Sequence, residues 1–245
     1  MNARQEPVER RTAATFLGRR VLFHIGRSPL PSYAAMLYLG CVLGTWAGAW
    51  MASQRDLDVS RFVIATIALL LPALGGSRAL YVLQHRDHFR DDRRAVMRRG
   101  AGGATLFGGL ALVIPVSIVV LWLAHLPYWR FWDAASVTML VGLAITRVGC
   151  LMNGCCVGRA TQGWYGVVLP DVHGRWERRI PTQLLEITFA IVMLAIVLTV
   201  QPHVEVDGVI FAAVVGSYTL ARFATRSLRA WLTAPRTLTG RRSPL

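Results

Sequence analysis

The chain contains no lysine. Its 27 basic residues are therefore all arginines, set against 13 acidic ones, for a net charge of +14. Such a balance often marks a nucleic-acid binder, but these arginines lie in the flanks and connections of apolar stretches and not along one soluble face. That placement excludes nucleic acid and fits anionic lipid headgroups. Also absent is the short-segment alternation of apolar and polar residues that an outer-membrane barrel requires. No cleavable signal is evident, since the first 32 residues are polar, basic and proline-containing. They are expected to form an exposed or interfacial arm. Only four cysteines occur, with no second close pair and no paired histidines to complete a structural zinc site, so no metal and no cofactor are expected.

Apolar residues make up 54% of the chain and fall in long blocks. A bilayer core about 30 Å thick needs roughly 20 helical residues. Six candidate spans of about that length run from Tyr33 to Ala52, Phe62 to Leu83, Ala104 to Leu126, Ala134 to Met152, Leu184 to Val200 and Val209 to Leu228. Backbone polar groups find no water in hydrocarbon, so helices are expected. The predicted fold is all-α, a polytopic membrane protein with about six transmembrane helices. Its organisation reads as a basic N-terminal arm (1–32), one transmembrane domain (33–229) with polar connections at 84–103 and 153–183, and a basic C-terminal tail (230–245).

Arg78, Arg147 and Arg222 fall inside or at the edge of apolar runs. A guanidinium at mid-membrane costs about 2.5–3.5 kcal/mol on insertion scales, so it faces a polar cavity, pairs with an acid, holds a substrate anion, or snorkels to the interface. For Arg147 a polar site is the preferred reading. Arginine's planar fork suits phosphate, although a GC-rich coding sequence gives the same compositional bias. The glycine pairs Gly75-Gly76, Gly102-Gly103 and Gly108-Gly109 fit either close helix packing or backbone exposed to a ligand.

The most informative text runs from Arg147 to Glu186: RVGCLMNGCCVGRAT, then WYGVVLP, then RRIPTQLLE. It resembles the signature of the bacterial prolipoprotein diacylglyceryl transferases, R-x-G-N-F-x-N-G-E-x-x-G-R followed by P-W-G-x-x-F-P and R-H-P-S-Q-L-Y-E. Arg147, Gly149, Asn153, Gly154, Gly158 and Arg159 match, as do Gly166, Pro170, Arg179, Pro181, Gln183, Leu184 and Glu186. Upstream, Tyr33, the set Gly76, Arg78 and Tyr81, and GGATLFGGL with Gly108 and Gly109 echo further family segments. Downstream, Asp133, Tyr218, Arg222 and Arg229 do so. The departures are Phe107 for the family's His, Cys155 for Glu, Cys150 for Asn, Ile180 for a second His and Arg226 for Glu. The chain also ends about where a seventh family span would begin.

The resemblance implies a bacterial inner-membrane, multi-pass enzyme that moves a diacylglyceryl group from phosphatidylglycerol to the cysteine thiol of a preprolipoprotein lipobox. On that reading Arg147 and Arg229 stabilise the phosphate leaving group, with Asn153 and Gly154 beside them as catalytic residues. Tyr33, Arg78, Gly108, Gly109, Cys155, Arg159, Arg179, Gln183, Glu186 and Arg222 are implied to bind substrate. His173 is the one replacement offered for the family's histidine. A positive field from Arg147 and Arg159 would lower the Cys155 pKa, letting a thiolate stand in for the lost carboxylate. Cys155 and Cys156 are too close in the chain to pair with each other, whereas Cys150 could pair with either in an oxidising compartment. Family topology puts the signature connection outside, while the arginine count puts it in the cytoplasm. Two further readings stay open: a non-catalytic lipid-binding scaffold of this fold, and a thiol-dependent membrane enzyme using Cys150, Cys155 and Cys156.

Overall fold

A computed structural model of the protein describes residues 18–25, 28–86, 106–170 and 176–225. The expected catalytic Arg229, as well as His173, Arg226, the arm up to residue 17, the tail and most of the 84–103 connection, lie outside the described residues; so does the side chain of Phe107.

Each of the six expected spans is a helix: α1 (Ser32–Ser53), α2 (Val59–Gln84), α3 (Leu106–Leu123), α4 (Tyr128–Asn153), α5 (Thr182–Val200) and α6 (Val209–Ala224). The segments Ser32–Ser53, Val59–Gln84, Tyr128–Asn153 and Thr182–His203 are long and apolar enough to cross a membrane, while Gly108–Leu123 and Val209–Ala224 are shorter apolar helices. Large apolar side chains stand well exposed on them, including Trp46, Leu71, Trp122, Leu220 and Phe223. Apolar surface of this kind is unfavourable in water and indifferent in hydrocarbon. The protein is thus an all-α membrane protein. Pro72 and Pro115 sit inside α2 and α3, a placement that membrane helices tolerate.

Among the described residues two short antiparallel ribbons accompany the helices, and the hydropathy pattern did not foresee either. β1 (Val21–Ile25) pairs with β2 (Ser28–Pro31) just before α1, and β3 (Val167–Pro170) pairs with β4 (Trp176–Arg179) between α4 and α5.

The chain forms two compact units. One comprises Leu43–Met139 and Val197–Ala213. Its core holds Met51, Phe62, Leu121 and Phe131, with the Phe62 and Phe131 rings 5.1 Å apart. Within it α2 and α3 approach at their glycines. A Cβ on Gly76 would collide with the Gly108 carbonyl and Leu112, and one on Gly109 would lie 2.7 Å from the Ser77 hydroxyl and 2.9 Å from the Ala73 carbonyl oxygen. Of the two readings left open for these glycines, close packing is the one observed at Gly76, Gly108 and Gly109. Gly75, by contrast, has open space around it.

Helix starts in this unit are secured by carboxylates. Asp58 precedes α2 and accepts from the Arg61 amide at 2.9 Å. The fully buried Asp133 accepts from the amides of Gly208 (2.7 Å) and Phe211 (2.9 Å), so an α4 side chain supplies the acceptors that the N-terminus of α6 needs. Arg130 and Asp207 pair at 3.0 Å beside it.

The other unit takes in the described residues of Met1–Val42, Leu140–Ile196 and Val214–Leu245. It holds the whole signature stretch.

Candidate functional site

The site begins where α4 ends. Gly154 has a φ of 71°, its amide bonds to the Leu151 carbonyl at 3.4 Å, and the next amide, of Cys155, bonds to the Cys150 carbonyl at 3.1 Å. This is the Schellman arrangement that terminates a helix, and glycine is the residue that enters the left-handed region without a Cβ penalty. The Asn153-Gly154 pair of the signature therefore reverses the chain after α4. Cys156 also holds a positive φ, 61°. The turn is fixed from α5, where Gln183 Nε2 donates to the Cys155 carbonyl and Thr182 Oγ1 to the Cys156 carbonyl, both at 2.7 Å. Gln183 is itself almost fully buried, and its side-chain oxygen has no hydrogen-bond partner among the described residues.

From this turn the chain runs back as the β3–β4 ribbon. Gly158 and Arg159 exchange backbone hydrogen bonds with Ile180 at 3.0 Å each, and Arg178 donates to the Gly166 and Trp164 carbonyls. Arg179 meets Glu177 at 2.5 Å. Gly149 allows α1 to approach α4, because a Cβ there would lie 2.7 Å from Met36 Cβ and 3.4 Å from Tyr33 Cα.

Six residues before the end of α4, Arg147 Nε meets Glu186 Oε2 of α5 at 2.5 Å, and Arg222 Nη1 of α6 donates to Glu186 Oε1 at 3.1 Å. Their side chains are 13%, 9% and 38% exposed for Arg147, Glu186 and Arg222. One carboxylate between two guanidinium groups leaves a surplus positive charge at a largely dry place, which suits an anion. Glu186 and Arg222 also border a shallow groove of about 30 Å³, whose other walls are Leu185, Phe189, Tyr218, Ala221 and Thr225. The Tyr218 hydroxyl is in hydrogen-bonding contact with Arg147, and its ring packs 5.8 Å from Phe189.

Cys150, Cys155 and Cys156 form no disulfide, and their sulfurs lie within 4.8 Å of one another. Arg147 Nη1 points at the Cys150 sulfur, 3.8 Å away. The expected Cys155 thiolate is not supported. The hydrogen bond from Cys150 lowers the Cys155 pKa, but the bond with Cys156, burial and the proximity of the Cys156 charge outweigh it and leave it above the ordinary thiol value. Crowding by Cys156 and loss of water prevail over the favourable bond from Cys150.

Of the residues expected at the site, Arg147, Asn153, Gly154, Cys155, Arg159, Arg179, Gln183, Glu186, Arg222 and Tyr33 belong to this unit. Arg78, Gly108 and Gly109 belong to the other, where the Arg78 guanidinium lies 5.7 Å from the Tyr81 ring centre. Phe189 was not anticipated, and Tyr218 was noted only as a match. The available signal was the helical spacing of Tyr218 and Arg222, four residues apart and so on one face.

Apolar helices that share one carboxylate between two arginines define a helical membrane protein with its charges paired across helices. The chain belongs to the prolipoprotein diacylglyceryl transferase family, whose model matches residues 20–239. Among curated relatives named phosphatidylglycerol–prolipoprotein diacylglyceryl transferase, that of Dehalococcoides mccartyi is 27% identical over 219 residues, covering 85% of this chain and 81% of the relative. That of Bacillus licheniformis is 24% identical over 218 residues, covering 85% and 80%. The Rhodopirellula baltica protein is 29% identical over 135 residues, 53% of this chain but only 27% of its own length.

Proposed function

We propose that the protein is a bacterial inner-membrane, multi-pass transferase that moves a diacylglyceryl group from phosphatidylglycerol to the cysteine thiol of a lipobox peptide. The observation that carries this reading is the Arg147–Glu186–Arg222 cluster, of which Glu186 and Arg222 border a shallow apolar groove. In the reaction the thiol sulfur bonds to the glyceryl carbon that carries the phosphate. The C–O bond breaks, its electron pair leaves on glycerol phosphate, and the thiol proton passes to a base or to water. Negative charge grows on the phosphate as that bond opens, and preorganised guanidinium groups in a low-dielectric site are the groups that stabilise it.

In this reading Arg147 and Arg222 hold the phosphate, and Glu186 keeps the two cations together in the absence of lipid. The acyl chains follow the wall of Leu185, Phe189 and Ala221. Asn153 and Gly154 present the turn carrying Cys155, Gln183 secures that turn from α5, and Arg159 and Arg179 flank it on the ribbon. Arg229 adds a further cation, and Tyr33 completes the lipid-binding set.

Complementation of a bacterium depleted of its own transferase tests the reading, with growth and lipoprotein modification expected. Arg147→Ala is expected to abolish both while the protein still accumulates in the membrane, and Arg147→Lys to restore them in part, since lysine supplies charge without the fork. Failure of the parent chain to complement, together with no transfer to several lipobox peptides in phosphatidylglycerol vesicles, would favour the non-catalytic scaffold.

A further inference from the structure

The transferase reading leaves three thiols unexplained. Cys150 is buried, Cys155 half-buried and Cys156 exposed, and their sulfurs converge within 4.8 Å of one another. Three sulfurs around a tetrahedral ion with bonds of about 2.3 Å stand about 3.8 Å apart, so small side-chain rotations bring these into register. The backbone that carries two of them is already fixed by Gln183 and Thr182, and Cys156 is held at a positive φ that costs energy for a side chain with a Cβ.

We infer that Cys150, Cys155 and Cys156 form a three-thiolate site for zinc whose fourth position is open to an incoming thiol. Sulfur donors exclude the hard ions magnesium and calcium, which take oxygen. No histidine or carboxylate joins the cluster among the described residues. A second close pair or paired histidines would be needed for a closed structural site, and the expectation of no metal rested on their absence. A site with three protein ligands and one vacant position is instead the pattern of catalytic zinc. Three thiolates leave one negative charge in excess on the ion, and the Arg147 guanidinium beside the Cys150 sulfur offsets it. The exposed Cys156 edge admits both the metal and a ligand.

The role given to the open position rests on the transferase reading. Neither Phe107 nor Cys155 offers the acid–base group that stands at those places in the family signature. Zinc supplies what they lack: a peptide thiol binding the fourth position releases its proton to solvent and becomes a metal-held thiolate, the nucleophilic form, at neutral pH. Its sulfur then bonds to the glyceryl carbon as the C–O bond to phosphate breaks, and the thioether, a weak ligand, leaves the metal.

The test uses the full chain in detergent, fully reduced and stripped by chelator, then titrated with Zn²⁺ and separately with Co²⁺. About one metal per chain is expected, with thiolate-to-cobalt charge-transfer absorption. Cys155→Ser and Cys156→Ser should each weaken binding by at least about tenfold, a loss that even outer-shell changes around a metal can produce. Cys41→Ser should leave binding unchanged and controls for general thiol affinity. Absence of stoichiometric binding with all thiols titrating as reduced, or full affinity surviving in Cys156→Ser, overturns the site. Transfer from phosphatidylglycerol to a lipobox peptide is measured in parallel, and metal removal should abolish it and zinc restore it. Undiminished transfer by chain shown to be metal-free overturns the open-position role. Stoichiometric zinc in a chain with no transferase activity leaves the site standing and removes the transferase reading.

Discussion

Arg147 of α4 and Glu186 of α5 face each other at 2.5 Å with 13% and 9% of their side chains exposed, and the same carboxylate binds Arg222 of α6 at 3.1 Å. Removing one partner of a buried pair strands the other charge, at a cost of about 3–5 kcal/mol. Glu186→Gln is therefore expected to lower the thermal midpoint in detergent markedly, because it leaves two guanidinium groups side by side. The double variant Arg147→Met/Glu186→Met should be less harmful than the sum of its singles, as a double-mutant cycle of midpoints will read. Strict additivity would mean that the two charges are not coupled.

Asp133 is a structural acid. Its two oxygens serve the amides of Gly208 and Phe211 with no exposure to solvent. Asp133→Ala leaves both amides without acceptors, costing about 1–3 kcal/mol each, and should reduce expression and thermal stability. The fraction that folds should retain its specific activity per molecule, which separates this role from a catalytic one.

Gly75 and Gly76 are neighbours with opposite surroundings. A Cβ on Gly76 meets the Gly108 carbonyl and Leu112, whereas one on Gly75 meets nothing within 4 Å. Gly76→Ala should destabilise by about 1–3 kcal/mol through overpacking of α2 against α3. Gly75→Ala should be neutral or stabilising by up to about 1 kcal/mol. Equal midpoints for the two variants would contradict the packing described.

In metal-free, reduced protein the Cys155 thiol resists ionisation, because the crowding of Cys156 and burial prevail over the favourable bond from Cys150. Alkylation proceeds through the thiolate, so a raised pKa moves the rate profile to the alkaline side of a free peptide cysteine. Mass spectrometry of maleimide adducts against pH should show Cys156 reacting first and Cys155 only at higher pH. A Cys155 more reactive than the peptide at neutral pH would reinstate the arginine-stabilised thiolate.

The six helices were legible in the sequence because partition into lipid depends on local composition, and each apolar run carries its own free energy of insertion without reference to the others. The family, too, is written in the order of short motifs from Arg147 to Glu186. The ribbons were not legible: β3 and β4 are four residues each, too short for an alternating pattern to stand out, and they pair with each other from Val167 opposite Arg179 to Pro170 opposite Trp176. Nor could the sequence choose among the fates it allowed for a membrane arginine. Arg147 is 39 positions from Glu186 and 75 from Arg222, and Asp133 is 75 from Gly208. Charges and caps in a membrane protein are satisfied across helices, through contacts that no local window contains. Helix packing alone decided that Arg147 meets an acid and that Gly76 and Gly109 meet backbone.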